Sequence, residues 1–576
     1  MAVIRSPVVG YDSGDAYSPG VHYVVRRLDD GKVVFAGTPV SWEQGQIQRS
    51  SGDKGWWFDF SALQSPGRYE IVDLDRSVHS VSFEIATNVY RKVLREAMRT
   101  YFYQRSGFPK REPYASACWV DEAAYLGRNQ DASAHDVSDP ENSSKVRDLQ
   151  GGWFDAGDTN KYVTFAATAV HQLLAAFEDS PTAFTDDFGI PESGNGIPDV
   201  LDELHWELDW FMRMQGPNGG VVLKVGARQL TSPGRPSEDS SARFYVPECS
   251  SSTIAAAGVF AHAALVFKQQ NGLEAYGALL VKRAVQAWDR FASLPVMDTH
   301  CDLQLVKAGN ADKTVEEQKA TAAHAAIYLY AATRDARYRH YVEDHYRELQ
   351  PYRDFGWGRY QQDQGRALLR FTRMDGVPNS LRNAVAHDFQ LQISSAQSVF
   401  GWHPGDDLYR SFLQDAQYHW GSLQPRANYG NVNLDAVNFA NSGRDLAISQ
   451  LVTANLRQRA LETLHYFHGV NPMGMVFLSN MRVVGASRSV QRLFHVWYQA
   501  GYLTDTCGPA PGYVTGGANA QAADNGVPPY ASPPVGQPVQ KAYRDSDSPR
   551  LAAWTFNEPG IYYQSAYIKL LSEFIP

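Results

Sequence analysis

VYRKVLREAMRTYFYQ, residues 89–104, is the stretch at which the chain changes period. Val93, Leu94, Ala97, Met98, Tyr101 and Phe102 recur at helical spacing and make one apolar face. Before it the apolar residues come in short β-branched or aromatic runs: HYVVRRL from His22, KVVFAG from Lys32, WWFDF from Trp56, RYEIVDL from Arg68 and HSVSFEI from His79. Turn signals such as Asp29-Asp30-Gly31 and Ser65-Pro66-Gly67 separate them, which predicts a β-sandwich of immunoglobulin-like type over residues 1–87. After it helical patterns dominate, at 161–177, 199–213, 253–269, 274–292, 316–333, 336–348, 389–399, 406–419, 444–454, 455–468 and 561–574. Eleven or twelve helices with no intervening strand series predict one all-α domain over residues 88–576, too large for a simple bundle and suited to a toroid of paired helices.

Composition narrows the function classes. The 576 residues are 44% hydrophobic, 12% aromatic and 20% charged, which supports a large core and excludes disorder, collagen and coiled coil. A net charge of −9 supplies no basic field for phosphates, so neither nucleic acid nor an anionic membrane is an expected partner. Cys118, Cys249, Cys301 and Cys507 are scattered, forming neither a zinc-knuckle spacing nor a dense disulfide framework. The apolar run Thr253–Phe267 is interrupted by His262 and falls short of the roughly 20 residues that cross a bilayer. Residues 1–20 show no charged start followed by an apolar core, so no secretory leader is read in them. The proline-rich stretch Thr506–Pro549 reads as a long functional loop carrying Tyr513, Tyr530 and Tyr543.

Two stretches carry chemistry. In GGWFDAGDTNKY, residues 151–162, Asp155 and Asp158 flank Ala156-Gly157 just before a helical run, so both can be aimed into one pocket where one deprotonates a water and the other holds it. The same residues also suit a helix N-cap. In WTFNEPGIYY, residues 554–563, Glu558 stands among aromatic and apolar neighbours that raise a carboxyl pKa, as a proton donor working near neutral pH requires. A helix-start residue is again the plainer alternative. A water-activating pair plus a distant proton donor are the parts of an inverting glycosidase.

GGWFDAGD, IPESGNGIPDVLDELHWELDWFMRMQ (190–215), HYFHGVNPMG (465–474) and NEPGIYY resemble, in this order, glycoside hydrolase family 9. The resemblance covers about residues 88–576 and extends to the module before it, since one branch of that family carries an N-terminal immunoglobulin-like domain. It implies an (α/α)6 barrel and inverting hydrolysis of β-1,4-glucans, most often as an endoglucanase, with an exo-acting glycosidase on short cello- or glucosamine-oligosaccharides as the near alternative and a non-catalytic carbohydrate-binding protein as the distant one. It implies Asp158 as general base, Asp155 as its partner on the water and Glu558 as general acid. The substrate-binding stretch departs from the family's paired histidines: SVQRLFHVWYQ (489–499) keeps His495 and Arg492 as sugar contacts. Trp153, Trp497 and Tyr513, inside or near these motifs, are candidate stacking platforms, and Trp119, Trp357, Trp402 and Tyr429 are further aromatics of the same kind. Of the zinc set usual in this branch Cys118 alone is present, with Ser106, Ala115 and Trp119 at the other positions, so no zinc is expected there. Glu192, Asn195, Asp199 and Asp202 form an oxygen-rich set that suits calcium, with capping of the following helix as the alternative. Catalysis on this reading uses no cofactor. The expected partner is a β-glucan or its oligosaccharides, the expected state a monomer, and the expected location extracellular or periplasmic, with the cytoplasm left open.

Overall fold

The computed structural model describes residues 1–230, 234–401, 404–441, 449–498 and 507–576. The first part is all β. Its strands are β1 (Ala2–Pro7), β2 (Tyr23–Arg27), β3 (Val33–Gly37), β4 (Val40–Ser41), β5 (Asp53–Phe58), β6 (Gly67–Asp73), β7 (Val78–His79) and β8 (Phe83–Ile85). They form two antiparallel sheets, β1-β5-β4 and β3-β2-β6-β7, with β8 added beside β6. Alternate residues of β2 and β6 (Tyr23, Val25, Tyr69, Ile71) turn inward onto Phe58 of the other sheet, as the period-2 reading requires. That core is small, and modules of this size are marginal alone. Docking against the helical part compensates: Trp42 and Trp57 donate their indole N–H groups to the carbonyls of Gly405 and Leu408, at 2.9 and 2.8 Å. Asp53 on β5 meets the Lys541 ammonium at 2.6 Å, with both side chains fully buried.

Among the described residues twelve helices of ten residues or more follow: α1 (Arg91–Gln104), α2 (Val163–Asp179), α3 (Asp199–Met214), α4 (Ser250–Phe267), α5 (Glu274–Ser293), α6 (Val315–Thr333), α7 (Ala336–His345), α8 (Gln362–Phe371), α9 (Asn379–Ser394), α10 (Leu423–Asn441), α11 (Gln450–Phe467) and α12 (Ile561–Ser572). The even-numbered six close a ring, each packing on the next and α12 returning to α2. Odd-numbered helices pack outside, so the architecture is an (α/α)6 barrel behind an immunoglobulin-like sandwich. Cross-links set the inner helices parallel. Gln172 of α2 donates to Asn428 of α10 and accepts from Ser565 of α12, while Lys569 of α12 reaches Asp435 of α10 nearer their C-terminal ends. Residues near the starts of α2, α4, α6 and α8 also line one cavity, so all six inner helices present their N-termini to one face. Small residues permit the close packing: a Cβ at Gly258 of α4 would stand 3.3 Å from the Ala325 Cβ of α6. By length and composition α4 could cross a membrane, yet it is buried almost throughout in the barrel.

Several expectations need correction. The stretch 406–419 is not a helix but a loop with two 3-10 turns, Pro404–Asp406 and Asp415–Gln417, and it docks the β module. The helix expected at 389–399 begins at Asn379 and ends at Ser394. The start expected at 444 lies outside the described residues, as does Trp402. Helices α8 and α10 were not foreseen. Strands do intervene: β9 (His135–Asp136), β10 (Lys161–Tyr162), β11 (Val222–Ala227) and β12 (Arg243–Glu248) form a sheet in the order β10-β11-β12-β9 beside the N-terminus of α2. Cys118 is bonded to Cys507 and Cys249 to Cys301, pairings that the scattered spacing did not reveal.

Candidate active site

The first and last inner helices bring the two chemical motifs together. Asp155 and Asp158 lie on the loop entering α2, and Glu558 precedes α12. The Gly157 N–H donates to the Glu558 carboxylate at 3.2 Å across 401 positions of sequence. Gly157 cannot carry a side chain, because a Cβ there would stand 2.0 Å from the Phe494 carbonyl oxygen and 3.1 Å from Glu558 Cγ. Backbone bonds fix the rest: Ile561 N–H donates to the Asp155 carbonyl at 2.9 Å, Val496 N–H to the Gly157 carbonyl at 2.8 Å and Phe494 N–H to the Asn557 carbonyl at 3.1 Å. Asn160 holds Asp158 from two sides, its N–H on Oδ1 at 3.1 Å and its amide on Oδ2 at 3.2 Å.

Three carboxyls in one partly dry site cannot all ionise freely. Burial drives Asp155 well above the usual carboxylate range, with the Asp158 and Glu207 charges adding to it. Burial likewise raises Glu558 well above that range, with Asp158 and then Asp155 reinforcing it. Asp158 is raised by burial only to about 6, because the Asn160 hydrogen bonds and the positive charges of Arg243 and Lys224 favour its ionised form. Asp158 is thus the carboxyl that ionises first and Glu558 one that keeps its proton to higher pH. Asp155 is 5% exposed, and its Oδ1 has no hydrogen-bond partner among the described residues.

Gln104, at the end of α1, was not singled out in the sequence. Its Nε2 donates to the carbonyls of Phe154 and Ala156 at 3.2 and 2.8 Å, while its Oε1 accepts from His495 Nε2 at 2.9 Å and from the Tyr513 hydroxyl at 3.1 Å. The Trp497 N–H donates to His495 Nδ1 at 3.2 Å, so His495 is a neutral ring with its proton on Nε2. Burial, then the Lys110 charge, pushes its pKa down to about 3. This corrects the sugar-contact expectation: His495 is wholly buried and braces the loop at Phe154 and Ala156 through Gln104. Tyr513 and Trp497 lie in the same packed aromatic group and are buried too. Trp153 is buried against Tyr101, its indole N–H on Glu203 at 3.3 Å and its backbone N–H on Glu207 at 2.7 Å. These three aromatics belong to the core, where no sugar ring can stack on them. Arg492 keeps an exposed guanidinium 3.9 Å from Asp547, and its carbonyl accepts from Asn557 at 2.6 Å.

The expected calcium set is redrawn. Glu192 turns away to pair with both Arg105 guanidinium nitrogens, at 2.9 and 3.0 Å. Asn195 directs its amide group at both Asp202 oxygens, 3.2 Å each, as a donor rather than a ligand. Asp186, overlooked because it precedes the glycine-rich loop, joins Asp199 and Asp202 with one carboxylate oxygen of each within 4.8 Å of the others. The buried Asp199 Oδ1 has no hydrogen-bond partner among the described residues. Burial plus neighbouring carboxylates holds Asp199 at about 6 and Asp202 at about 7. Hard oxygens, crowded negative charge and an orphaned buried oxygen fit a calcium ion.

The (α/α)6 barrel, with a carboxylate pair and a third carboxyl converging on its N-terminal face, defines the class: a helical-barrel protein with three buried carboxyls in one site. The sequence profile of glycosyl hydrolase family 9 matches residues 90–571, and the chain belongs to that family. It is similar to Endoglucanase C of Cellulomonas fimi, 26% identical over 94% of this chain and 48% of the relative. It is also similar to a cellodextrinase of Butyrivibrio fibrisolvens, 26% identical over 95% of this chain and 93% of the relative. Among solved structures, a metagenome-derived family 9 endoglucanase superposes with a TM-score of 0.79 at 26% identity, covering 97% of this chain and 93% of that one. The chain spans about half the length of Endoglucanase C.

Proposed function

We propose that this protein is an endo-acting, inverting hydrolase of β-1,4-glucosidic bonds in cellulose or a related β-glucan. The observation that carries it is the meeting of Gly157 and Glu558, which places a carboxyl that keeps its proton beside one that ionises near pH 6. Asp158 takes a proton from a water, Asp155 holds that water through its unpaired oxygen, and the water attacks the anomeric carbon. Glu558 gives its proton to the departing glycosidic oxygen, so the C1–O bond breaks as the new one forms on the opposite face. Side chains supply the acid and the base in this scheme. A calcium ion at Asp186, Asp199 and Asp202 would be structural, bracing the start of α3, whose Glu203 and Glu207 hold the catalytic loop.

The two disulfides favour an oxidising location, extracellular or periplasmic. Asp158→Ala and Glu558→Ala should each fold and lose at least a thousandfold in turnover of carboxymethylcellulose. Proton NMR of the first product formed from a cello-oligosaccharide should show the α-anomer. A β-anomer, or near-wild-type turnover in either variant, would overturn the assignment.

A further inference from the structure

Asp158 is held by Asn160, and Asn160 is itself held by a strap of chain that packs against β10 and β11. The strap, residues 301–312, contains no helix or strand. It enters at Cys301, which is bonded to Cys249 at the N-cap of α4, and it leaves just before α6 begins at Val315. Val306 and Ala311 are wholly buried in one apolar cluster with Tyr162 of β10 and Leu223 of β11. The Lys307 N–H donates to the Ala227 carbonyl at 2.9 Å, and the Lys307 carbonyl accepts from the Asn160 amide group. The Ala227 N–H donates to Asn160 Oδ1 at 3.2 Å, so both ends of the Asn160 side chain are gripped. The Tyr162 hydroxyl donates to the Ala308 carbonyl at 2.9 Å, which ties the strap to the next residue but one after Asn160.

One ion pair closes the strap. Lys224 of β11 meets Asp302 Oδ2 at 2.6 Å, with both side chains 0% exposed. The same ammonium donates to the carbonyls of Gly309 at 3.1 Å and Ala308 at 3.4 Å, so all three of its N–H groups have an acceptor in the strap. Asp302 accepts from the N–H groups of Ala311 at 3.0 Å and Gln304 at 3.1 Å, and its own N–H donates to Asp312 at 2.9 Å. Lys224 stands opposite Tyr162 in the β10–β11 register, with its ammonium 5.4 Å from the ring centroid. An apolar pair of similar size would hold such a strap as well, since taking two charges out of water is costly. What an apolar pair does not supply is a positive charge that acts on Asp158.

Several elements turn charged or titratable groups toward Asp158. Lys224 comes from β11, Arg243 from β12, Tyr162 from β10 and Tyr562 from α12, with the carboxyls Asp155 and Glu558 beside it. Arg243 is bound to Asp131 at 2.8 Å and to the Thr159 carbonyl at 2.7 Å, so it fixes the backbone just after Asp158 and has no contact with the strap. Lys224 is the cation that the strap surrounds. We propose that Lys224, acting through Asp302 and the strap, is a positioning residue for the base: it fixes the Asn160 amide on Asp158 and keeps an ammonium facing that carboxylate. The proposal rests on the hydrolase reading above.

The test is the pH dependence of kcat and kcat/KM on cellotetraose for the wild-type protein and for Lys224→Met. In the variant kcat should fall roughly tenfold or more with KM within about twofold, and the acidic limb should move up by about half a pH unit or more. The double variant Lys224→Met with Asp302→Leu, which refills the site with an apolar pair, should regain melting temperature but neither kcat nor the position of the limb. A role in stability alone gives a lower melting temperature with kcat and limb unmoved in the single variant, or recovery of both in the double one. Either result overturns the proposal. Should Lys224→Met not fold, the double variant is read against the wild-type protein in its place. NMR of protein labelled at the aspartate carboxyl carbons, with the Asp158 signal assigned by its loss in Asp158→Asn, separates this proposal from the hydrolase reading. An Asp158 titration that moves up in Lys224→Met, in a protein that cleaves no glucan, sinks the hydrolase reading and keeps the coupling. Glucan cleavage with neither the Asp158 titration nor the acidic limb moved does the reverse.

Discussion

Asp53→Ala removes the charge at the centre of the contact between the β module and the barrel. Asp53 is fully buried and accepts from Arg5 Nε at 3.0 Å, from the Lys541 ammonium at 2.6 Å and from the Tyr409 hydroxyl. After the substitution Lys541, itself 0% exposed, keeps Asp12 at 2.7 Å and the Val9 carbonyl at 2.9 Å, and loses its shortest partner. Breaking a buried pair by deleting one partner costs about 3–5 kcal/mol. What that does to melting depends on the unfolding unit. At about 2.1 cal/mol/K per residue, 576 residues unfolding together carry roughly 1.2 kcal/mol/K, so the midpoint should drop about 3–4 °C. A β module of roughly 90 residues unfolding alone carries about 0.2 kcal/mol/K, and its own transition would drop about 15–25 °C. Scanning calorimetry distinguishes one shifted peak from a split one. Asp53→Leu combined with Lys541→Met should recover much of the loss, since an apolar pair replaces a buried ion pair at little cost. A loss below about 1 kcal/mol in Asp53→Ala, or no recovery in the double variant, would refute the view that this pair docks the module.

Asp158→Asn should stabilise the protein while abolishing turnover. Its folded pKa of about 6 lies above the ordinary 3.8, so the stability linked to this group is fully present below pH 3.8 and lost as pH rises through 6. The gain at pH 8 is up to about 3 kcal/mol at 1.36 kcal/mol per pKa unit, and denaturant melts at pH 8 and pH 4 show whether it is confined to the higher pH. For the same reason kcat/KM of the wild-type protein should rise with pH to a plateau above about 6 and fall when Glu558 loses its proton. An acidic limb near pH 4 would exclude Asp158 as the base. Gln104→Leu should lower kcat about 10–100-fold, with KM and the acidic limb little changed, because it releases the carbonyls of Phe154 and Ala156. Steady-state kinetics showing an unaffected kcat would make Gln104 a packing residue only. Calcium at about a hundredfold excess over its Kd should add about 2.7 kcal/mol of stability, and Asp186→Asn should abolish that gain. A melting temperature indifferent to chelator would exclude the ion.

The sequence made the fold class legible where one face of an element is apolar. Residues 89–104 and the strands before them show clear periods because each buries one side. Helix α10 does not, because it is buried on nearly all sides and carries Asn428, Asn431 and Asn433 inward. The stretch 406–419 imitates a helix because its apolar residues, among them Leu408, Tyr409 and Leu413, are buried as a loop beneath the β module. For the site, chemistry and spacing singled out Asp155, Asp158 and Glu558 with a helix start as the plainer alternative, and the roles proposed for them came from the resemblance. Whether an aromatic in a motif faces a cleft or the core is not a local property, so Trp153, Trp497 and Tyr513 were misplaced. Gln104 gave no signal at all: its role exists only once α1, the catalytic loop and residues 495–513 are folded together.

The closure of the inner ring has a consequence for synthesis. Asp155 and Asp158 precede the first inner helix and Glu558 the last, so the three carboxyls are brought together where the ring is sealed. With 401 positions between Gly157 and Glu558 and translation at about 5–20 residues per second, roughly 20–80 s pass before the acid exists to join the base. A ribosome-bound chain lacking that final segment has a cleft half and no acid. The third carboxyl therefore joins the other two in one step, after the preceding helices of the barrel have been made.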